Sequence, residues 1–285
     1  MTPEQIAQLP RPLAFVLPGG GALGTYQVGV LRALTEAGVT PDLLVGVSAG
    51  AVNSALFAWN GGMDGVERLE KMWRNIKRRD LMRLDVGRLA MGLVGRHPSF
   101  LDSMHGHRFL KHQLGARLLE HAPTKVAVVA TDLSNGEAVA LTTGDAAKAV
   151  LASTAFPGVF PPVHIDGRTF VDGGVVADVP LELTLQLGAA SALVLCVPWL
   201  AAGPVPKHAL DILFRASSLG VEAHGRTVLR HPPPGITRPT DLTRLTPSHD
   251  ATGPAAQPST RIVAVAMRSR SGRCDPTSGR ATRCG

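Results

Sequence analysis

Residues 46–50 read Gly46-Val47-Ser48-Ala49-Gly50, a G-x-S-x-G sequence that follows the apolar run Leu43-Leu44-Val45. Where a strand gives way to a helix at such a turn, the serine hydroxyl is held clear of the backbone. The flanking glycines let neighbouring chain pass without a Cβ clash. Ser48 is therefore a candidate nucleophile, and the chemistry to expect is acyl transfer from an ester. The same five residues also fit a small residue that merely starts a helix. A working serine needs two further parts: a base, and donors for the oxyanion that forms on attack.

Gly19-Gly20-Gly21-Ala22-Leu23-Gly24 lies between an apolar run and a helical pattern. Gly19, Gly21 and Gly24 satisfy G-x-G-x-x-G, which would make the chain a dinucleotide-binding oxidoreductase. That use wants an acidic residue ending the second strand, but Asp42 precedes that strand, which runs into Gly46-Val47-Ser48. No Gly-Lys-Ser/Thr follows the loop either, which excludes a nucleotide phosphate loop. The other use is an oxyanion hole. Successive N–H groups at a helix start converge on one point with positive partial charge. Gly19, Gly20, Gly21 and Ala22 are the candidate donors. Carboxyl ends of adjacent strands lie side by side in an open α/β sheet, so this loop and Ser48 are expected to be neighbours.

For the base, the chain has ten histidines, and His208, His224 and His231 follow Asp172, so a Ser–Asp–His order is open. Asp172 is better placed. It ends the short run Phe170-Val171 and is followed by Gly173-Gly174, a tight turn. An aspartate is a weak base at its ordinary pKa of ~3.9, and burial raises it. Asp-Gly-Gly is also an ordinary turn.

The elements that must position these residues alternate along the chain. Apolar runs predict strands at 13–17, 42–47, 125–130, 170–171 and 192–197, with 136–141 as a hairpin partner of 125–130. Helical spacing predicts helices at 25–37, 49–59, 66–76, 107–120, 145–153, 181–187 and 211–229. The fold class is α/β, a mainly parallel sheet with helices on both faces. Residues 78–104 interleave arginines with leucine and methionine, as a lid or as a peripheral helix pair.

Composition sets the bounds. The chain has 285 residues, 45% hydrophobic, and a net charge of +7. Ten arginines and three aspartates fall at or after Arg226, so residues 226–285 carry +7 and residues 1–225 sum to zero. The basic balance describes a tail, not the core's partners. Residues 1–231 form the expected hydrolase domain and 232–285 a Pro/Arg/Ser-rich, disordered tail, with 262–266 as an edge strand. No nucleic acid is expected for the core. No apolar run reaches the ~18–20 residues that span a bilayer. The start of the chain has no basic region before an apolar one, and Cys196, Cys274 and Cys284 form no even disulfide set. A cytoplasmic location is expected, with peripheral membrane contact through residues 78–104. No metal or other cofactor is expected, because no His/Cys/Asp/Glu group has ligand spacing.

The three motifs, Gly19–Gly24, Gly46–Gly50 and Asp172-Gly173-Gly174, resemble in order and spacing the signatures of the patatin-like phospholipase family. Ala152-Ser153-Thr154-Ala155-Phe156-Pro157, Phe160-Pro161-Pro162-Val163 and Val179-Pro180 are similar as well, and the resemblance covers residues 13–230. It implies a patatin-like three-layer sandwich related to the α/β-hydrolases. It also implies a Ser–Asp dyad without histidine, with Ser48 as nucleophile, Asp172 as proton acceptor and the glycine loop as oxyanion hole. The substrate would be a lipid or other acyl ester. Leu23 stands where many members carry Arg or Lys. A non-catalytic lipid- or protein-binding member of the fold is the alternative.

Overall fold

The computed structural model describes residues 3–77, 80, 99, 101–102, 104–197, 205–206, 208–233, 236–237 and 260–266. The first half of the chain gives α1 (Pro3–Ala7), β1 (Leu13–Leu17), a 3-10 turn at Gly21–Leu23, α2 (Gly24–Glu36), β2 (Leu43–Val47), α3 (Ala49–Asn60), α4 (Gly62–Asn75) and α5 (Met104–Leu114). A second 3-10 turn at Leu119–His121 precedes β3 (Lys125–Asp132), β4 (Ala138–Leu141), α6 (Ala146–Ser153), β5 (Val163–Ile165) and β6 (Arg168–Asp172). Then come α7 (Gly174–Ala177), α8 (Leu181–Gln186), β7 (Ser191–Cys196), α9 (Ala209–Arg230), β8 (Ile236–Thr237) and β9 (Thr260–Ala266).

All of these strands join one sheet in the order β5-β6-β3-β2-β1-β7-β9-β8, with β4 paired to β3 off that path. From β3 to β8 every pairing is parallel; β4, β5 and β6 are antiparallel. Every residue of β1, β2 and β7 is buried, which is why these strands read as unbroken apolar runs. Alternate side chains serve two cores. Leu13, Phe15, Leu17, Leu44, Val126 and Val128 pack on α2 to α6. Ala14, Val16, Val45, Val47, Val129 and Val194 face α8 and α9. The result is the expected three-layer arrangement. Among the described residues no helix is long and apolar enough to cross a membrane.

Some local expectations change. Helix α4 starts at Gly62, because Gly61 and Gly62 take φ of 52° and 51° and turn the chain directly from α3 into α4. The predicted helix 107–120 stops at Leu114, where Gly115 has φ 68°. Strand β5 had no sequence signal of its own. The 262–266 run is a strand, but it lies between β7 and β8 and so is not at the edge. Nearly all of the 78–104 stretch lies outside the described residues.

The register around β3 places the site. On one side β4 pairs with Val128 to Thr131. The other side is shared end to end: β2 ends with Val47 opposite Val129, and β6 ends with Asp172 opposite Ala130. The residue after β2 and the last residue of β6 therefore emerge at one point along β3.

Candidate active site

Strand β2 delivers Ser48, whose backbone sits at φ 52°, ψ −120°. Positive φ costs a non-glycine residue on the order of 1–3 kcal/mol and persists only where the surroundings enforce it. A Cβ on Gly50 would lie 1.9 Å from the Leu17 carbonyl oxygen, and one on Gly46 would lie 2.5 Å from the Gly50 carbonyl oxygen. Glycine at both positions lets α3 start against the ends of β1 and β2, which closes the sharp turn. Ser153 holds it from the side: the Ser48 N–H donates to Ser153 Oγ at 2.9 Å, and Ser153 Oγ donates to the Val129 carbonyl at 2.6 Å.

Strand β6 delivers Asp172. Ser48 Oγ donates to Asp172 Oδ2 at 2.7 Å, and the Gly174 N–H donates to Oδ1 at 2.8 Å. The Asp172 N–H donates to the Ala155 carbonyl at 3.0 Å, and Thr131 Oγ1 donates to the Asp172 carbonyl at 2.9 Å. Gly173 and Gly174 begin the short α7 behind it. Burial pushes the Asp172 carboxyl up to about 6, against the smaller downward pull of the Gly174 and Ser48 hydrogen bonds.

The glycine loop runs from the end of β1 into α2, with Gly24 as the first residue of that helix. A Cβ on Gly19 would lie 3.3 Å from Ser48 Cβ, so loop and serine are neighbours as expected. One candidate donor is already engaged: the Gly19 N–H donates to Asp178 Oδ1 at 2.9 Å. The N–H groups of Gly20, Gly21 and Ala22 meet no acceptor among the described residues. Both ends of the loop are clamped. Gln27 Nε2 donates to the Pro18 carbonyl at 2.7 Å, and Asn53 Nδ2 donates to the Gly24 carbonyl and to Gln27 Oε1, each at 2.9 Å. Trp73 Nε1 donates to Asn53 Oδ1 at 2.8 Å, which completes a buried chain from α4 to the loop.

Ser48, Asp172, Asp178 and residues 19–23 line one cavity of about 790 Å³, within the ~300–1,000 Å³ typical of ligand sites. Its walls are apolar, with Trp73, Ile76, Phe109, Leu151, Phe156 and Phe160. His208, His224 and His231 do not line it. Asp42, the acid that a dinucleotide site would need after β2, sits at the other end of the strand, paired with Arg11 and the Leu13 N–H. Among the described residues no group of three or more His, Cys, Asp or Glu side chains is placed to hold a metal ion.

A family model described as patatin-like phospholipase matches residues 15–185. The chain belongs to the patatin-like phospholipase family. An uncharacterized NTE family protein of Mycobacterium tuberculosis (strain ATCC 25618 / H37Rv) is 34% identical over 176 residues, which cover 61% of this patatin-like chain and 28% of the relative. A protein named lysophospholipase NTE1 from Phaeosphaeria nodorum is 27% identical over 179 residues, 63% of this chain and 11% of that one. The crystal structure of VipD from Legionella pneumophila aligns over 78% of this chain and 56% of its own, at 14% identity and a TM-score of 0.44. The chain thus spans well under half the length of both curated relatives.

Sequence reasoning missed Asp178, Ser153 and the Gln27–Asn53–Trp73 chain. Asp178 stands just before Val179-Pro180 and reads as a turn residue. Gln27 and Asn53 read as polar positions on helices, yet both are fully buried. Each is explained by a partner far away in sequence, which no local pattern reveals.

Proposed function

We propose that this patatin-like chain is a serine acyl hydrolase that cleaves acyl esters of lipids, phospholipids among them, through a Ser48–Asp172 dyad. The observation that carries the reading is the 2.7 Å hydrogen bond from Ser48 Oγ to a buried carboxylate, at the polar end of an apolar cavity. Asp172 takes the Ser48 proton as Oγ attacks the ester carbonyl carbon. The carbonyl oxygen becomes an oxyanion held by the N–H groups of Gly20, Gly21 and Ala22. On collapse the C–O bond to the alcohol breaks, and Asp172 returns the proton to that leaving oxygen. The acyl chain remains on Ser48, with its tail in the apolar cavity. Water then attacks, with Asp172 again as base, and releases the fatty acid. Family membership supports lipid as the substrate class, and the walls of Phe109, Leu151, Phe156 and Phe160 suit an acyl chain.

The test is hydrolysis of a soluble acyl ester and of phospholipid and lysophospholipid vesicles by the wild-type and Ser48→Ala proteins. Loss of essentially all turnover in a folded Ser48→Ala protein is expected, since removal of a triad serine costs ~10⁶ in kcat in a serine hydrolase. Undiminished hydrolysis by Ser48→Ala would overturn the assignment.

A further inference from the structure

Asp178 is a second buried carboxyl in the cavity, and the mechanism above leaves it without a task. It is 7% exposed and lines the same space as Ser48. Its Oδ1 accepts the Gly19 N–H at 2.9 Å, and it sits 2.8 Å from the point a Cβ on Gly19 would take. Asp172 is close by: a Cβ on Gly174 would lie 3.2 Å from Asp172 Oδ1 and 3.6 Å from Asp178 Oδ1. Two buried carboxyls thus share one corner of the cavity, beside the glycine loop.

We propose that Asp178 is a positioning residue whose neutral carboxyl grips Gly19 and so aims the Gly20, Gly21 and Ala22 N–H groups at the ester oxygen, while its ionised form opposes the oxyanion. The inference rests on the acyl-hydrolase reading. The groups around the pair leave this division of labour. Asp172 must be ionised to act as base, and its charge works against a second carboxylate beside it. From β7, Cys196 lies near Asp178 and stays a thiol, pushed up to about 12 by burial and then by Asp178. From α9, Glu222 lines the cavity with its charge met by Arg226. Lys77, beyond the end of α4, is the one cation among the described residues of the lining. Asp178 therefore holds a proton when Asp172 has lost its own. Burial pushes it up to about 7, against the downward pull of the Gly19 hydrogen bond and with the Asp172 charge adding to the rise.

The neutral carboxyl still accepts from Gly19 and leaves the other loop donors to the substrate. Once ionised, it adds a negative charge beside those donors, where the oxyanion must form. The rate should fall as pH rises through the Asp178 titration.

The test is the pH profile of kcat and KM for wild type, Asp178→Asn and Asp178→Leu on a soluble acyl ester, together with NMR titration of the Gly19 amide and the Asp178 carboxyl carbon. Asp178→Asn keeps an acceptor oxygen but cannot ionise. It should lose the alkaline limb and exceed the wild-type rate roughly tenfold or more at pH 9, as each unit beyond a titration changes the rate about tenfold. Asp178→Leu has no acceptor and should lose kcat ~10²-fold or more with KM little changed, the cost of a misplaced oxyanion donor. An alkaline limb in Asp178→Asn identical to wild type, or wild-type kcat in Asp178→Leu, would overturn the proposal. If the wild type hydrolyses no ester, the acyl-hydrolase reading fails, and the Gly19 amide decides this one. Its shift must follow the Asp178 titration; a constant shift sinks the grip.

Discussion

Replacing the proposed base should make the protein more stable. Asp172 is buried, 4% exposed, and its carboxyl rises from 3.8 to about 6 because the ionised form is taken out of water. At about 1.4 kcal/mol per unit, this shift means that the charged carboxylate costs the fold about 3 kcal/mol. The sign follows from the two titrations. Below the unfolded value of ~3.9 the carboxyl is protonated in both states and nothing is lost. Between there and about 6 the unfolded chain ionises while the fold holds its proton, so stability declines. Above about 6 the whole cost is in force. Asn in place of Asp172 can still accept from the Gly174 N–H and offers a donor to Ser48 Oγ, without a charge to bury. Asp172→Asn should therefore gain about 3 kcal/mol at pH 8, about half that at pH 5, and little near pH 4. In thermal unfolding the pH 8 gain corresponds to roughly 6–12 °C for a fold of this size. Urea denaturation of both proteins across pH 4–8, followed by circular dichroism, measures it. A gain of equal size at every pH, or a loss at pH 8, would refute the claim that a buried charge sits at Asp172. Activity should move the opposite way, the usual exchange at a strained site.

The same titration should appear in catalysis: kcat/KM should fall about tenfold per pH unit below about 6, as the base is protonated, and a profile flat to pH 4.5 would exclude Asp172 as base. Gly50→Ala should fail to give soluble folded protein, because its Cβ would meet the Leu17 carbonyl oxygen at 1.9 Å; a wild-type melting temperature for that variant would show that the turn is looser than described. Asn53→Leu leaves Gln27 Oε1 and the Trp73 N–H without partners and takes one of its donors from the Gly24 carbonyl, at about 1–3 kcal/mol for each of the two orphaned groups, so it should lose at least ~2 kcal/mol in urea unfolding. Trp73→Phe, which keeps a ring in the cavity wall and drops one donor, should lose less than half as much, and equal losses would disprove the chain of bonds.

The parts of the site that sequence made legible are those with local causes. Ser48 is announced by the local pattern of Gly46 and Gly50; Gly46 answers to the Gly50 carbonyl four residues on, whereas Gly50 answers to the Leu17 carbonyl at the end of the neighbouring strand. The strands with every residue buried stand out as apolar runs, and the hairpin of β3 and β4 follows from the Ser134-Asn135-Gly136 turn. What stayed hidden has non-local causes. Gly19 is an attractive oxyanion donor by spacing, yet its N–H belongs to a carboxyl 159 residues away. Strand β9 is apolar enough to be seen, but its place inside the sheet is set by pairing with β7, not by its own residues.

The proposed two-residue pair demands more of a fold than a triad does, because no third group corrects the aim of the base. The sheet supplies that aim through β3. Both β2 and β6 are bonded to the same side of this strand, at Val129 and Ala130, so the position of Ser48 relative to Asp172 is fixed by backbone ladders. Side-chain direction alternates along a strand, and a one-residue slip of β6 would send Asp172 to the opposite face. Phe170 guards against that slip: it is buried with Val163, Ala130, Ala152 and Ala155, and a shifted register would turn its ring out of that cluster. The apolar core on one side of β6 thus enforces the polar contact at its end.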